Sequence, residues 1–98
     1  MSMILTTVRQ EKERIEYMLE KYSEQLASLP KGQLYERKVG EKTYFYLKYR
    51  EGGKVISKYI AKDDAEQVRQ QVARRRHIET MIKSLNGELE VANKVLEG

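Results

Sequence analysis

The spacing of apolar residues changes twice along this 98-residue chain, and that change constrains the fold more than any other feature. Over the first thirty residues, apolar side chains recur at alternating intervals of three and four, which is typical of a helix with one packed face. Only Lys12 interrupts this seam, which consists of Leu5, Val8, Ile15, Leu19, Tyr22, Leu26 and Leu29. The pattern predicts a helix over 8–28, although a start a few residues earlier also fits. Thr7 and Gln10 would form its capping box, and Pro30 would end it.

Residues 31–62 have the composition of β-strands. Three segments rich in Tyr, Phe, Val, Ile and Thr lie at 33–39, 43–50 and 55–60. Short breaks at Gly40-Glu41 and Gly52-Gly53 separate them, and glycine supplies the positive φ that tight hairpins often need. We therefore expect three short antiparallel strands in a meander.

Residues 63–98 return to the helical period. Asp63 is a candidate N-cap, and Glu66 follows three residues later. Two apolar stripes come next: Ala65, Val68 and Val72, then Ile78, Ile82, Leu85, Leu89, Ala92 and Leu96. Because this spacing passes through Gly87 without a shift, we expect one long helix rather than a break at Asn86-Gly87.

Together these patterns predict an α+β fold in a single domain, 1–98. The domain consists of a helical arm over 1–30, a basic three-stranded antiparallel meander over 31–62 and a second helical arm over 63–98. The long N-terminal and C-terminal helices can run antiparallel and pair as a coiled-coil-like hairpin. Such a pair leaves apolar surface on one side, so we also expect a homodimer formed through the helical seams.

The composition argues against several classes of protein. Cysteine is absent and His77 is the sole histidine, so we expect no disulfide and no metal centre. The chain contains no Walker, GxGxxG or GxSxG motif, and we expect neither an enzyme nor a cofactor. No apolar run has the length of a membrane span, and residues 1–8 do not resemble a signal peptide. We therefore expect a cytoplasmic protein with no membrane partner.

Positive charge is concentrated in the middle of the chain. Residues 31–62 carry nine Lys and Arg against three Asp and Glu, a net of +6, whereas 1–30 and 63–98 each have a net of −1. The whole chain has a net charge of only +4. A local excess of this kind can steer an anionic partner even when the total charge is modest.

The second predicted strand carries the clearest candidate site. Side chains alternate along a strand. One face therefore carries Thr43, Phe45, Leu47 and Tyr49, and the other carries Tyr44, Tyr46, Lys48 and Arg50. The first face suits packing against a helix. The second interleaves tyrosines with cations, which suits nucleic acid, because cations neutralise phosphates while rings and hydroxyls contact bases or sugars.

We therefore predict a small nucleic-acid-binding protein, with duplex DNA as the expected partner, since a ribbon of strands can enter the major groove. The candidate contacts are cations and tyrosines of the strands: Arg37, Lys38, Tyr44, Tyr46, Lys48, Arg50, Lys54 and Lys58. The registers of the first and third strands stay open at this point, and with them the faces on which Arg37 and Lys58 lie.

Other interpretations stay open as well. Tyr44 and Tyr46 could serve only to stabilise a thin sheet as members of cross-strand pairs. The Arg74–Arg76 run reads as solvated helix surface, with one arginine turned toward the seam or the sheet. RNA would use the same basic sheet as DNA. Alternatively, the protein is a protein–protein interaction module, an adaptor or a mobile-element inhibitor, that acts through its helical seam.

Residues 33–76 resemble the arm-type, AP2-like DNA-binding domain of tyrosine integrases from phages and conjugative elements. The resemblance rests on Tyr35-Glu-Arg37, Tyr44-Phe-Tyr-Leu-Lys48-Tyr-Arg50, Gly52-Gly53-Lys54 and the helix from Asp63. It implies a sheet face in the major groove, with contacts from Arg37, Tyr44, Tyr46, Lys48, Arg50 and Lys58. Unlike this chain, the integrase domain usually has no long preceding helix. The stretch 29–60 is also similar to a small uncharacterised family of bacteria and their mobile elements, in which a Tyr-rich strand precedes a Tyr-Arg-Glu-Gly-Gly-Lys turn.

Overall fold

The computed structural model of the protein describes residues 2–98 and has the order helix, three strands, helix. Its elements are α1 (Met3–Ala27), β1 (Gln33–Val39), β2 (Lys42–Glu51), β3 (Lys54–Ile60) and α2 (Lys62–Glu97). The strands form one antiparallel sheet in the order β1-β2-β3. The two helices contact each other. The predicted α+β fold is therefore confirmed.

The chain divides into two compact units. The helical unit comprises α1 and the later part of α2, residues 2–28 and His77–Gly98. The sheet unit comprises Leu29–Arg76, and therefore the three strands with the first part of α2. This boundary differs from the expected meander of 31–62, because the first turns of α2 pack on the sheet and belong to the same unit.

The helical unit buries the seams that the spacing predicts. Ile15 of α1 and Ile78, Leu85 and Ala92 of α2 are all buried, and the other seam positions from Val8 to Leu26 are half-buried. The buried residues of α2 in this unit are seven positions apart and lie on one face of the helix, so its charged residues lie on the other faces. The unbroken α2 also confirms the expectation that the helix continues through Gly87.

Both helices begin earlier than predicted. α1 starts at Met3, so Thr7 lies inside the helix, where its hydroxyl donates to the Met3 carbonyl at 3.0 Å. The predicted capping box at Thr7 is therefore wrong, because that hydroxyl bonds backward to position i−4 instead of capping. Asp63 is likewise not an N-cap, because α2 starts at Lys62. Asp63 lies in the first turn, where its carboxylate interacts favourably with the helix dipole. The end of α1 at Ala27, three residues before Pro30, agrees with the sequence to within one residue.

The sheet unit packs one face of the sheet on α2. Its buried core consists of Leu47 and Ile60 from the strands and Ala65 and Val72 from α2, with Leu34, Phe45, Tyr49 and Val68 packed around it. The predicted helix-facing side of β2 is thus confirmed. The β2–β3 hairpin closes through Gly52 and Gly53, whose φ angles of 57° and 78° match the type I′ turn that suits strand twist.

Two arginines hold the segment that leads from α1 to β1. Arg75 donates to the Leu29 carbonyl at 2.8 Å and is half-buried, and Arg76 donates to the Gly32 carbonyl at 3.3 Å. The Arg74–Arg76 run is therefore more than a solvated surface, since two of its three members satisfy backbone acceptors of the linker. Charged donors make such bonds stronger than those between neutral groups.

Gly32 is the position in this linker where a side chain does not fit. Its φ is 113°, and a Cβ at this position would overlap the Lys48 carbonyl oxygen and lie 2.9 Å from the Cβ of Tyr49. Gly40 has a positive φ of 62° as well, but a Cβ there would have no neighbour within 4 Å. Substituting each glycine in turn therefore distinguishes two effects: backbone strain alone at Gly40, and backbone strain plus a clash with β2 at Gly32.

We expect Gly32→Ala to lower the free energy of unfolding by about 2–4 kcal/mol, because it adds a clash with β2 to an unfavourable φ. Gly40→Ala is the matched control and should cost only about 1 kcal/mol. Urea unfolding followed by circular dichroism measures both. Equal losses for the two variants would show that the close approach of Gly32 to β2 does not constrain the fold.

Candidate nucleic-acid interface

The strand register assigns every strand residue to one of two faces. Residues directly opposite each other in an antiparallel pair share a face, and Leu34, Leu47 and Lys58 lie opposite one another on the face that packs on α2. The other side of the sheet, which we call the open face, faces away from α2. It carries Gln33, Tyr35, Arg37 and Val39 from β1, Lys42, Tyr44, Tyr46, Lys48 and Arg50 from β2, and Val55, Ser57 and Tyr59 from β3.

Three tyrosines form a row across the middle of the open face. Tyr35 of β1 lies opposite Tyr46 of β2, and Tyr46 lies opposite Tyr59 of β3. The rings of Tyr46 and Tyr59 meet edge to face, with centroids 5.9 Å apart. Tyr35 and Tyr59 remain 43% and 56% exposed, so the outer members of the row present ring surface and hydroxyls to solvent.

A cation lies against one end of the tyrosine row. The Nζ of Lys48 is 4.7 Å from the centroid of the Tyr35 ring, a distance typical of a cation–π contact. The Tyr35 hydroxyl donates to Oε1 of Gln33, its neighbour on the same face, at 3.2 Å. Tyr35 thus has its ring and its hydroxyl oriented by two open-face neighbours before any ligand arrives.

The open face carries only cations among its charged side chains. Its twelve side chains include four cations, Arg37, Lys42, Lys48 and Arg50, and no carboxylate. The strand carboxylates Glu36 and Glu51 lie on the opposite face, where Glu36 accepts a hydrogen bond from Arg69 of α2 at 3.1 Å. Because alternate residues point to opposite sides, both strand carboxylates lie on the helix side and none lies on the open face.

The predicted site residues divide between the two faces. Five of them come together on the open face: Arg37, Tyr44, Tyr46, Lys48 and Arg50. The other three, Lys38, Lys54 and Lys58, are opposite Thr43, Glu51 and Leu47, and therefore lie on the helix side of the sheet. One flat surface cannot present all eight, so these three lysines are removed from the candidate interface.

Sequence reasoning missed three of the eight charged and aromatic members of the open face. Lys42 lay outside the predicted second strand, and Tyr35 and Tyr59 belong to outer strands whose registers were open. The lengths of the two hairpin loops would have identified these residues, because loop length sets the strand register. Two-residue loops at Gly40-Glu41 and Gly52-Gly53 fix Val39 opposite Lys42 and Glu51 opposite Lys54, and every other pair follows by counting.

The described residues form neither a metal-binding cluster nor a membrane-spanning helix. Within 2–98, no group of three or more His, Cys, Asp and Glu side chains could hold a metal ion. No helix in the described part of the chain is both long and apolar enough to cross a membrane.

One family of known sequences matches this chain. The profile of a family described as Domain of unknown function (DUF6788) matches residues 8–70. The chain belongs to the DUF6788 family. The matched part includes most of α1, the whole sheet and the start of α2, and therefore the complete open face of this DUF6788 protein. No curated protein and no solved structure matches the chain.

The Tyr46–Tyr59 contact should contribute to stability through its rings. We expect Tyr59→Leu to lower the free energy of unfolding by about 1 kcal/mol, since it removes an edge-to-face pair. Tyr59→Phe keeps the ring and should stay within about 0.5 kcal/mol of the parent protein. Thermal unfolding measures both variants. A Leu variant as stable as the parent would mean that the aromatic pair does not support the sheet.

Proposed function

We propose that this DUF6788 protein binds nucleic acid, with duplex DNA as the partner, through the open face of its sheet. The observation that carries the proposal is the composition of that face, which combines four cations, a row of three tyrosines and no carboxylate. Cations with no carboxylate on their own face attract phosphates over a distance, and aromatic hydroxyls and amides supply short-range contacts. The proposal includes a cytoplasmic location, where such a partner is accessible.

The dimensions of the sheet favour a duplex groove. Three strands span about 10 Å between the axes of the outer strands, and the major groove of B-DNA is about 12 Å wide. With the strands along the groove, the tyrosine row faces base edges. Gln33 and Ser57 lie beside this row and offer side-chain hydrogen bonds to the same edges.

The cations lie on both sides of the tyrosine row. Arg37 and Lys42 are toward one end of the strands, and Lys48 and Arg50 are toward the other. Lys42 and Arg50 are eight positions apart, which corresponds to about 27 Å along β2. Over this length the two groups of cations can contact well-separated phosphates. These contacts would fix the position of the tyrosine row along the duplex.

Net charge differs strongly between the two units. The sheet unit carries thirteen Lys and Arg against six Asp and Glu, a net of +7. The helical unit carries six against nine, a net of −3. A polyanion is therefore attracted to the sheet unit and repelled by the helical unit, which favours docking through the strands.

Salt dependence tests the proposal directly. If all four open-face cations contact phosphates, log Kobs for a fluorescent duplex should fall with log salt with a slope of about −3.6. The double variant Lys48→Glu, Arg50→Glu should weaken binding at least tenfold and roughly halve the slope. Fluorescence anisotropy at several salt concentrations measures both quantities.

A matched control separates the open face from net charge. Lys38→Glu, Lys54→Glu changes the total charge equally but alters only the helix side of the sheet, and it should retain most of the affinity. Equal losses in the two double variants would contradict a specific role of the open face. Single-stranded DNA and double-stranded RNA serve as competitors, and either one displacing the duplex at equal concentration would overturn the choice of duplex DNA.

A second candidate function is an interaction module formed by the helical unit. An open recess in that unit is lined by Val8, Ile15, Val91, Ala92 and Val95, and Val91 and Val95 are 62% and 43% exposed. A pair of helices that exposes apolar side chains on one side can complete its packing with a second pair in a four-helix arrangement. The occupant that this geometry favours is a second copy of the chain.

Light scattering after gel filtration tests the second candidate. The parent protein should elute as a dimer at tens of micromolar, and Val91→Glu should convert it to a monomer by placing a charge in the apolar contact. Val55→Glu is the matched control, because Val55 is equally exposed at 63% but lies on the open face. A monomeric parent protein would reject the dimer.

A further inference from the structure

Each of the two units contains an open apolar recess, and the two recesses differ in the charge of their rims. The recess in the helical unit has a volume of about 350 Å³, and a recess in the sheet unit has a volume of about 360 Å³. Because the two volumes are similar, the charged residues at the rim are what most distinguishes the ligands that each recess favours.

The rim of the helical recess is acidic. Glu11 and Glu88 line it beside its apolar residues. Arg14 donates a hydrogen bond to the Glu11 carboxylate, and this bond holds the pKa of Glu11 below its ordinary value. Both glutamates are ionised at neutral pH, and no lysine or arginine among the described residues lines this recess, so the recess disfavours an anionic ligand.

The rim of the recess in the sheet unit is basic. Its apolar floor consists of Leu29, Pro30, Leu47 and Tyr49, and its cations are Lys31, Lys58 and Arg75. Lys58 lies opposite Leu47 in the β2–β3 register, so its side chain is on the same side of the sheet as this floor. Lys31 and Lys58 are both exposed, whereas Leu47 is only 5% exposed.

The wall of this recess is held in place by the fold. Arg75 reaches from α2 to the Leu29 carbonyl, and this bond fixes the linker residues that form one side. Pro30 restricts the same segment further, because its ring fixes φ. The recess is therefore formed before a ligand binds, which lowers the entropic cost of binding.

We propose that the recess between the linker and the helix side of the sheet binds a small organic anion with an apolar body. The class comprises aryl or short alkyl carboxylates, sulfonates and phosphates. The apolar body packs on the half-buried side chains of Leu29, Pro30 and Tyr49, and the anionic group lies between Lys31 and Lys58. A volume of about 360 Å³ is near the lower limit of ligand pockets and fits a single ring with a short chain.

This site is separate from the proposed nucleic-acid interface. Lys58 and Leu47 lie on the helix side of the sheet, and the tyrosine row lies on the open face. The inference therefore stands whether or not the open face binds DNA. It also assigns a role to Lys58, which the register removes from the open face.

Protein NMR with three probes tests the inference. The probe is 4-phenylbutyrate, with neutral 4-phenylbutanol and inorganic phosphate as comparisons, titrated into the ¹⁵N-labelled full chain. We expect saturable shifts of the backbone amides of Lys31, Leu47, Tyr49 and Lys58 with 4-phenylbutyrate. The neutral alcohol should bind at least about fivefold more weakly, and phosphate alone should give no saturable shift.

Charge-reversal variants complete the test. Lys58→Glu and Lys31→Glu should each weaken 4-phenylbutyrate binding about fivefold or more, and Lys54→Glu should leave it unchanged. Lys54 is the matched control, because it is an exposed lysine on the same side of β3 that does not line the recess. Lys58→Glu should retain most of the duplex DNA affinity, as expected for the other helix-side lysines.

Three results would overturn the inference. The first is equal affinity for 4-phenylbutyrate and its neutral alcohol, which would make the rim charge irrelevant. The second is a set of shifts confined to the open-face tyrosines or to the helical recess. The third is equal weakening by Lys58→Glu and Lys54→Glu, which would show that binding responds to net charge alone.

Discussion

The packing of one face of β2 on the first turns of α2 is the contact on which the rest of the structure depends. Leu47 and Ile60 meet Ala65 and Val72 there, and these four side chains form the buried core of the sheet unit. A three-stranded sheet has too few strands to be stable without such cover. Because side chains alternate along a strand, burying this face places the remaining strand residues on the other side of the sheet. The tyrosines and four cations of the open face are among them.

The same packing explains why the linker is so constrained. Gly32 lies against the backbone of Lys48, and Arg75 and Arg76 satisfy carbonyls of the linker from α2. These contacts join three parts of the chain that are distant in sequence. They also create the basic rim of the recess beside Leu47, since the linker forms one wall and β3 contributes Lys58. Arg75 and Leu29 therefore belong both to the contacts that hold the linker and to the lining of the candidate ligand site.

Charge separation is the second property that organises the molecule. The helical unit is acidic and the sheet unit is basic, although the chain as a whole has a net charge of only +4. Within the sheet unit, the strand carboxylates lie on the helix side, where Glu36 pairs with Arg69. The four cations of the open face are therefore not offset by any carboxylate among its twelve side chains, although the chain as a whole is nearly balanced in charge.

The sequence by itself determined the five elements, the helix-facing side of β2, the apolar seams and the basic character of the middle segment. These properties depend on local periodicity, which can be counted along the chain. The sequence located the hairpin loops without fixing their lengths, so the structure decided which face carries Lys42, Tyr35, Tyr59 and Lys58. It also showed that Arg75 and Arg76 point toward the linker. The physical reason is that a strand's face depends on its register with a neighbour, and a shift of one residue moves every side chain to the opposite side. The helix starts also differed from expectation. The Thr7 hydroxyl donates to a backbone carbonyl from inside α1, and Asp63 interacts with the helix dipole from inside the first turn of α2, so neither residue marks a cap.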